Sequence, residues 1–127
     1  MTGRLLFHVA IADDWEACVA LGSYEAATEG RSLEEEGYIH ATTAEAIQHV
    51  LDTRYRQIRL PLLLIALDSD ALDVPVQWEP PGHPRILGPI PCTDPAAIVS
   101  ITPLARETNR WLAPTDPGLH SERQKEQ

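Results

Sequence analysis

Three polar residues stand where apolar ones are expected, and their side chains are the ones best suited to chemistry. His8 lies inside the apolar run Leu5 to Ala10, His40 ends the stretch Gly37-Tyr38-Ile39, and Glu79 follows Trp78 at the close of another run. An imidazole titrates near neutrality and suits proton transfer or ligand orientation. A carboxylate desolvated by a neighbouring indole has a raised pKa, as a general acid or base needs. A histidine between Phe7 and Val9 must find hydrogen-bond partners or line a cavity, because an unsatisfied buried imidazole is costly. For one such residue the commoner role is structural, a core histidine bonded to a carbonyl. Two histidines and a glutamate at strand positions point instead to a shared cleft, with His8, His40 and Glu79 as its catalytic candidates. Tyr38 and Thr42 flank His40, and His83 and Arg85 follow Glu79 across the loop Pro80-Pro81-Gly82; these four are the ligand-binding candidates.

Other chemistries fit less well. His8, His40 and Glu79 could form a two-histidine, one-carboxylate metal set, but no pair has the close spacing of a metal motif, so no metal is expected. There is no G-x-S-x-G elbow, and neither cysteine has a histidine beside it in sequence. G-x-G-x-x-G and P-loop patterns are absent, which excludes the common modes of nucleotide binding. Cys18 and Cys92 show no C-x-x-C spacing and read as two buried thiols, with a disulfide the lesser reading.

These residues need rigid elements to hold them. Leu5 to Ala10 reads as a central strand. Asp13 opens a D-x-x-E box with Glu16 and a helix through Leu21, which Gly22 ends. Ser23 to Ala27 reads as a brief extended piece, and Thr28 to Glu36 as a solvated loop. Thr42-Thr43-Ala44-Glu45 fits a capping box with Thr42 as N-cap, so a second helix is expected from Thr43 to about Tyr55. Ala46, Ile47, Val50 and Leu51 form its apolar face; His49 falls on an exposed flank and is a poor functional candidate. Arg54, Arg56 and Arg59 read as cations complementing the helix C-terminus, with a minority chance of meeting an anionic ligand. Further strands are expected at Leu60 to Leu67 (covered on both faces), Val74 to Glu79, Ile86 to Ile90 and Ile98 to Leu104, with a Pro-started helical turn at Asp94 to Ala97.

Strands and two helices that cluster rather than alternate indicate an α+β fold with small split antiparallel or mixed sheets. At 127 residues one core is enough, placed here in a single domain over 1–106. Residues 107–127 are expected to form a polar, flexible tail, in which Trp111 and Leu112 could dock onto the body or a partner. A net charge of −9, from 19 acidic and 10 basic residues, argues against a duplex nucleic-acid or anionic-membrane partner. It leaves room for one small anionic ligand held by a few arginines. The chain starts straight into a strand, with neither a signal-peptide core nor a membrane span, and a cytoplasmic protein is expected.

Several segments together resemble a known family. Leu6-Phe7-His8-Val9, Asp14-Trp15-Glu16, Gly22-Ser23-Tyr24, Glu36-Gly37-Tyr38-Ile39-His40-Ala41-Thr42, Leu72 to Glu79 and Pro84 to Pro91 are similar, in order, to motifs of the small bacterial family called domain of unknown function 952. Its G-[FY]-I-H-x-[ST] signature matches Gly37 to Thr42, and the likeness covers about residues 4–105. In the late motif, roughly P-H-[IL]-Y-G-P in the family, Arg85 and Leu87 stand in place of the histidine and the aromatic. His83 could replace that histidine from two residues earlier, and Arg85 would suit an anionic substrate.

The family is similar in fold to ADP-ribosyltransferases, and Ile39 to Thr42 also looks like a segment of RNA 2′-phosphotransferases. The resemblance implies a transferase or glycohydrolase acting on NAD or an ADP-ribosyl compound. By position, His8 would bind the nicotinamide ribose, the His40 region would support the nicotinamide, and Glu79 would orient the nucleophile. Two alternatives stay open: an acid–base enzyme on a small non-nucleotide metabolite, and a non-catalytic ligand-binding or interaction module. NAD is thus a candidate substrate, and no resident cofactor is expected.

Overall fold

The computed structural model describes residues 5–28, 31–32, 37–78 and 82–114. β1 (Leu5–Ile11) is apolar but for His8 and its middle five residues are all buried, yet it is an outer strand of its sheet and not the central one expected. It pairs antiparallel with β5 (Leu62–Asp68), with His8 opposite Ile65, and β5 pairs antiparallel with β8 (Ile98–Pro103). β5 therefore lies in the middle of a three-stranded sheet, and the expected double-sided burial holds, with Leu62 and Leu64 to Leu67 all buried.

A second three-stranded antiparallel sheet has β7 (Arg85–Ile86) between β4 (Ile39–His40) and β6 (Val76–Gln77). The two sheets meet at one bridge, where Phe7 and Thr42 exchange backbone hydrogen bonds of 2.9 and 2.8 Å. Past that bridge the Gly82–Pro84 loop keeps following the other chain, with Ala41 N–H donating to Pro84 O at 3.0 Å and Thr43 N–H to Gly82 O at 3.3 Å. Two short antiparallel pairs complete the described sheets: β2 (Ala26–Thr28) with β3 (Arg31–Ser32), and β9 (Ala105–Glu107) with β10 (Arg110–Leu112). The α+β reading with two helices stands, and every pairing among the described residues is antiparallel.

α1 (Ala12–Leu21) follows β1 without a loop. Its N-cap is Ile11, not Asp13; the D-x-x-E box does not form, because the helix already starts at Ala12, whose N–H donates to Pro61 O at 2.9 Å, and Asp13 falls inside the first turn. Asp13 and Asp14 instead sit in the first turn, where the helix dipole favours negative charge. Gly22 ends the helix as expected, at φ +83°, with its N–H directed at the carbonyls of Cys18 and Val19. Only Trp15 of this helix is buried.

The second helix is shorter than expected. A 3-10 turn, Ala44–Ala46, leads into α2 (Ile47–Arg54), and neither start has a side-chain cap. Thr42 is not an N-cap: its hydroxyl donates to Thr43 O at 3.0 Å and to Gly82 O at 3.2 Å, tying the β4 exit to the Gly82 loop. Ile47, Val50 and Leu51 form the buried face. The strands expected at Val74 to Glu79 and Ile86 to Ile90 shrink to two residues each, and Ile90 survives as an isolated bridge to Tyr24.

Residues 107–112, expected in the tail, belong to the β9–β10 hairpin. Thr108 and Asn109 turn it with φ of 50° and 64°, the paired positive values of a type I′ turn. Trp111 is buried and donates its indole N–H to Ile58 O at 3.1 Å. Gln48 clasps the hairpin from α2, donating to Trp111 O and accepting from Ala113 N–H, while Arg110 holds Asp52 through two bonds of 3.0 and 3.1 Å. Residues 115–127 lie outside the described residues. Among the described residues no helix is long and apolar enough to cross a membrane.

Candidate functional site

The alternation of β1 decides where each side chain goes. Leu6 and Ala10 point into one apolar cluster, with Trp15, Tyr24, Ile39, Ile65 and Ile86. Phe7 and Val9 point into another, with α2 and Trp111. His8 shares the parity of Leu6 and Ala10, so it faces the Trp15–Tyr24 side.

There it is 1% exposed and both ring nitrogens are bonded. Nδ1 lies 2.7 Å from His40 O, and Nε2 lies 2.9 Å from the Tyr24 hydroxyl. A carbonyl only accepts, so Nδ1 carries the proton; in the neutral ring Nε2 then accepts from the phenol. Burial lowers the His8 pKa from 6.5 to about 4, against a smaller opposing effect of the His40 carbonyl. Burial also raises the Tyr24 pKa, with minor help from Tyr55, Asp14 and Cys18. The result is a neutral chain, Tyr24 O–H to His8 to His40 C=O, closed off from solvent. His8 also has no free nitrogen for a metal, and among the described residues no three His, Cys, Asp or Glu side chains are placed to share one.

The opening lies on the other face of β1, between α2, β4 and the Gly82–Arg85 segment. An inner slot of about 30 Å³ is lined by Phe7, Val9, Ala41, Thr42, Val50 and Tyr55. Its polar groups are largely engaged: the Tyr55 hydroxyl donates to Val9 O at 3.2 Å, and the Thr42 hydroxyl is held as above. His40, Arg54 and His83 also line the slot and continue into an outer groove of about 300 Å³ open to solvent. Tyr38, His49, Thr53 and Arg85 complete that groove.

Basic side chains line the groove of an acidic protein. Arg54 and Arg85 line it with His40, His49 and His83, and none of its described lining residues is acidic. Tyr38 is set between two of them: the Arg85 guanidinium lies 4.5 Å from its ring centre, and the His40 ring meets it edge-on at 4.8 Å. His49 and His83 face each other across 6.2 Å. Register explains part of this convergence, because His40 pairs directly with Arg85 between β4 and β7.

The structure places His40, Tyr38, Thr42, His83 and Arg85 along the slot and groove, while His8 stands behind the wall. Glu79 lies outside the described residues. The sequence reading missed His49 as a lining residue and left Arg54 as a helix-end cation. The signal was there in the spacing of α2: His49 and Thr53 stand four apart on the flank next to the buried face, as do Val50 and Arg54, and the Thr53 hydroxyl donates to His49 O at 2.8 Å.

The family model described as "Protein of unknown function (DUF952)" matches residues 9–98. The chain belongs to that family. The match begins within β1 and ends at the start of β8, and it contains the whole second sheet and all the residues that line the groove. The fold is similar to that of the X-ray crystal structure of Protein CC0527 from Caulobacter crescentus, which aligns with a TM-score of 0.70 at 20% identity. That alignment covers 85% of this chain and 92% of the other. A double mutant of the same Caulobacter protein gives 0.67 at 18% identity, with the same coverage. At such identities the likeness concerns the fold. No curated protein matches the chain.

Proposed function

We propose that the groove binds a small phosphate-bearing, nucleotide-like ligand, and that the protein is a transferase or glycohydrolase acting on NAD or an ADP-ribosyl compound. The observation that carries this reading is the lining of Arg54, Arg85, His40, His49 and His83 on a chain of net charge −9. Guanidinium groups take phosphate oxygens in bidentate fashion, and a concave site lined by one sign of charge concentrates the opposite sign. The groove, at about 300 Å³, reaches the lower end of the range of small-molecule sites, and the inner slot of about 30 Å³ adds room beside it for a water-sized group only. The ADP-ribosyltransferase likeness enters through the family resemblance of Gly37 to Thr42, and two small antiparallel sheets hinged at Phe7–Thr42 are compatible with it.

In this reading His40 orients the ligand from the floor shared by slot and groove. Arg54 and Arg85 hold phosphate. His8 touches no ligand; it positions His40 through the backbone. Glu79 would stabilise the oxocarbenium-like centre and polarise the attacking hydroxyl as nicotinamide leaves. A binding module without turnover is the second reading, favoured by the closure of His8, one of the three expected catalytic groups, away from the groove.

Calorimetric titration of the full chain with inorganic phosphate, ADP-ribose and NAD tests the binding, and a nicotinamide-release assay tests the turnover. The reading predicts that ADP-ribose binds more tightly than phosphate, and that the Arg54→Ala, Arg85→Ala double variant loses both. Glu79→Gln should keep binding and lose nicotinamide release. Binding without release in the unmodified chain would favour the module; no heat with any of the three at millimolar concentration would remove both readings.

A further inference from the structure

Cys18 and Cys92 are distant in sequence and adjacent in the fold. The Cys92 thiol donates to the Cys18 carbonyl at 3.3 Å, and that carbonyl also accepts from Gly22 N–H at 2.9 Å. By standard backbone dimensions this puts the Cys92 sulfur within about 6 Å of Cys18 Cα, so the two sulfurs are within side-chain reach. Both thiols are free and pack with the Trp15–Tyr24 cluster; Cys18 is half-buried at the outer end of α1 and Cys92 is buried.

What lies between them gives the pair a consequence. Tyr24 and Ile90 exchange backbone hydrogen bonds of 2.9 and 3.0 Å, Tyr24 shortly after Cys18 and Ile90 just before Cys92. A bond between the sulfurs would close a ring around that bridge. It would fix the segment that carries the phenol bonded to His8.

We infer that Cys18 and Cys92 are a redox pair that forms a reversible intramolecular disulfide when the protein meets a peroxide. The more exposed Cys18 reacts first, as its thiolate. Its sulfur attacks a peroxide oxygen, the S–O bond forms, the O–O bond breaks, and hydroxide leaves to be protonated to water. The Cys92 thiol then gives its proton to solvent and attacks the sulfenic sulfur. The S–S bond forms, the S–O bond breaks, and hydroxide leaves and is protonated. Two thiols and one hydrogen peroxide become one disulfide and two waters. Burial raises the Cys92 pKa, so the more exposed Cys18 is the thiol assigned the first step. The inference does not rest on any ligand for the groove.

The full chain is treated with graded hydrogen peroxide, quenched with an alkylating reagent, and read by intact mass and peptide mapping. The expected result is a monomer that has lost two hydrogens, takes up no label, and yields one cross-linked peptide joining Cys18 to Cys92. A thiol reductant restores both labelling sites. The oxidised protein should melt several degrees higher than the reduced form, with slower amide exchange at Tyr24 and Ile90, and Cys18→Ser and Cys92→Ser should each abolish these changes. Two thiols still open to labelling, or Cys18 driven to sulfinic acid without a cross-link, would overturn it. So would a cross-link found only between chains. Because the central result comes from the unmodified chain, a variant that fails to fold does not blunt the test.

Discussion

The two faces of β1 carry two histidine environments that differ in every physical respect. On the Leu6–His8–Ala10 face the imidazole is dry, neutral and bonded at both nitrogens. On the Phe7–Val9 face, His40 stands at the edge of an open groove with two arginines and two more histidines. One face turns polar groups into a fixed scaffold; the other keeps them available to a ligand. The two are joined through the His40 backbone, whose carbonyl takes the His8 proton while its side chain faces the groove. Burial decides which histidine is structural and which is functional, and residue type alone does not.

The sharpest way to break this contrast is to remove each ring in turn. His8→Ala leaves the Tyr24 hydroxyl and the His40 carbonyl unpaired beside a new cavity, and should cost about 3–4 kcal/mol in denaturant unfolding. His40→Ala should cost no more than about 1 kcal/mol and should weaken ligand binding. The reverse order would show that the two faces are wrongly assigned.

Acid should act on the dry face next. Because folding lowers the His8 pKa from 6.5 to about 4, the unfolded chain holds the extra proton between those values. Stability from this group is complete above pH 6.5 and is lost as pH falls towards 4, by on the order of 3 kcal/mol. Carboxylates titrate over part of the same range, so the quantity to measure is the difference between the unmodified chain and His8→Gln. A flat difference between pH 6.5 and 4 would show that His8 stays solvated.

Much of this division was written in the sequence, though not where the residues first drew attention. The Phe7/His8/Val9 alternation already places His8 opposite in parity to its neighbours. A strand with apolar residues at both parities hides which face is the closed one, and only the docking of α1 and Tyr24 settles it. Gly22 as a helix end was legible because a left-handed C-cap has few solutions. The Thr42 capping box was not, since its hydroxyl found a tertiary partner, Gly82 O, that competes with the local one. The hairpin at 105–112 was hidden by a charged, polar composition, and its turn uses Thr108 and Asn109 in place of the usual glycine. The groove was half legible: His40, Arg85 and His83 stood out as motif residues, while His49 and Arg54 joined only once α2 had a neighbour.

On the open face, Arg54→Ala and Arg85→Ala should each weaken phosphate binding by about tenfold, the worth of one charge-assisted hydrogen bond, and leave stability within about 1 kcal/mol. Arg85 carries the larger structural risk through its contact with Tyr38, so Arg85→Lys is the informative companion, keeping the charge without the planar fork. The smallest effect on the groove belongs to Tyr24→Phe. It removes one hydrogen bond from the dry face and should cost about 1–2 kcal/mol in unfolding, with phosphate affinity at the groove unchanged. A large loss of affinity in Tyr24→Phe would mean that the two faces are coupled more tightly than the backbone link implies.

The most direct test is a phosphate titration followed by NMR of the histidine side chains. The signals of His40, His49 and His83 should move with phosphate, while His8 stays in its neutral Nδ1–H form and does not respond. A phosphate-dependent shift at His8 with the three groove histidines silent would contradict the assignment of the two faces.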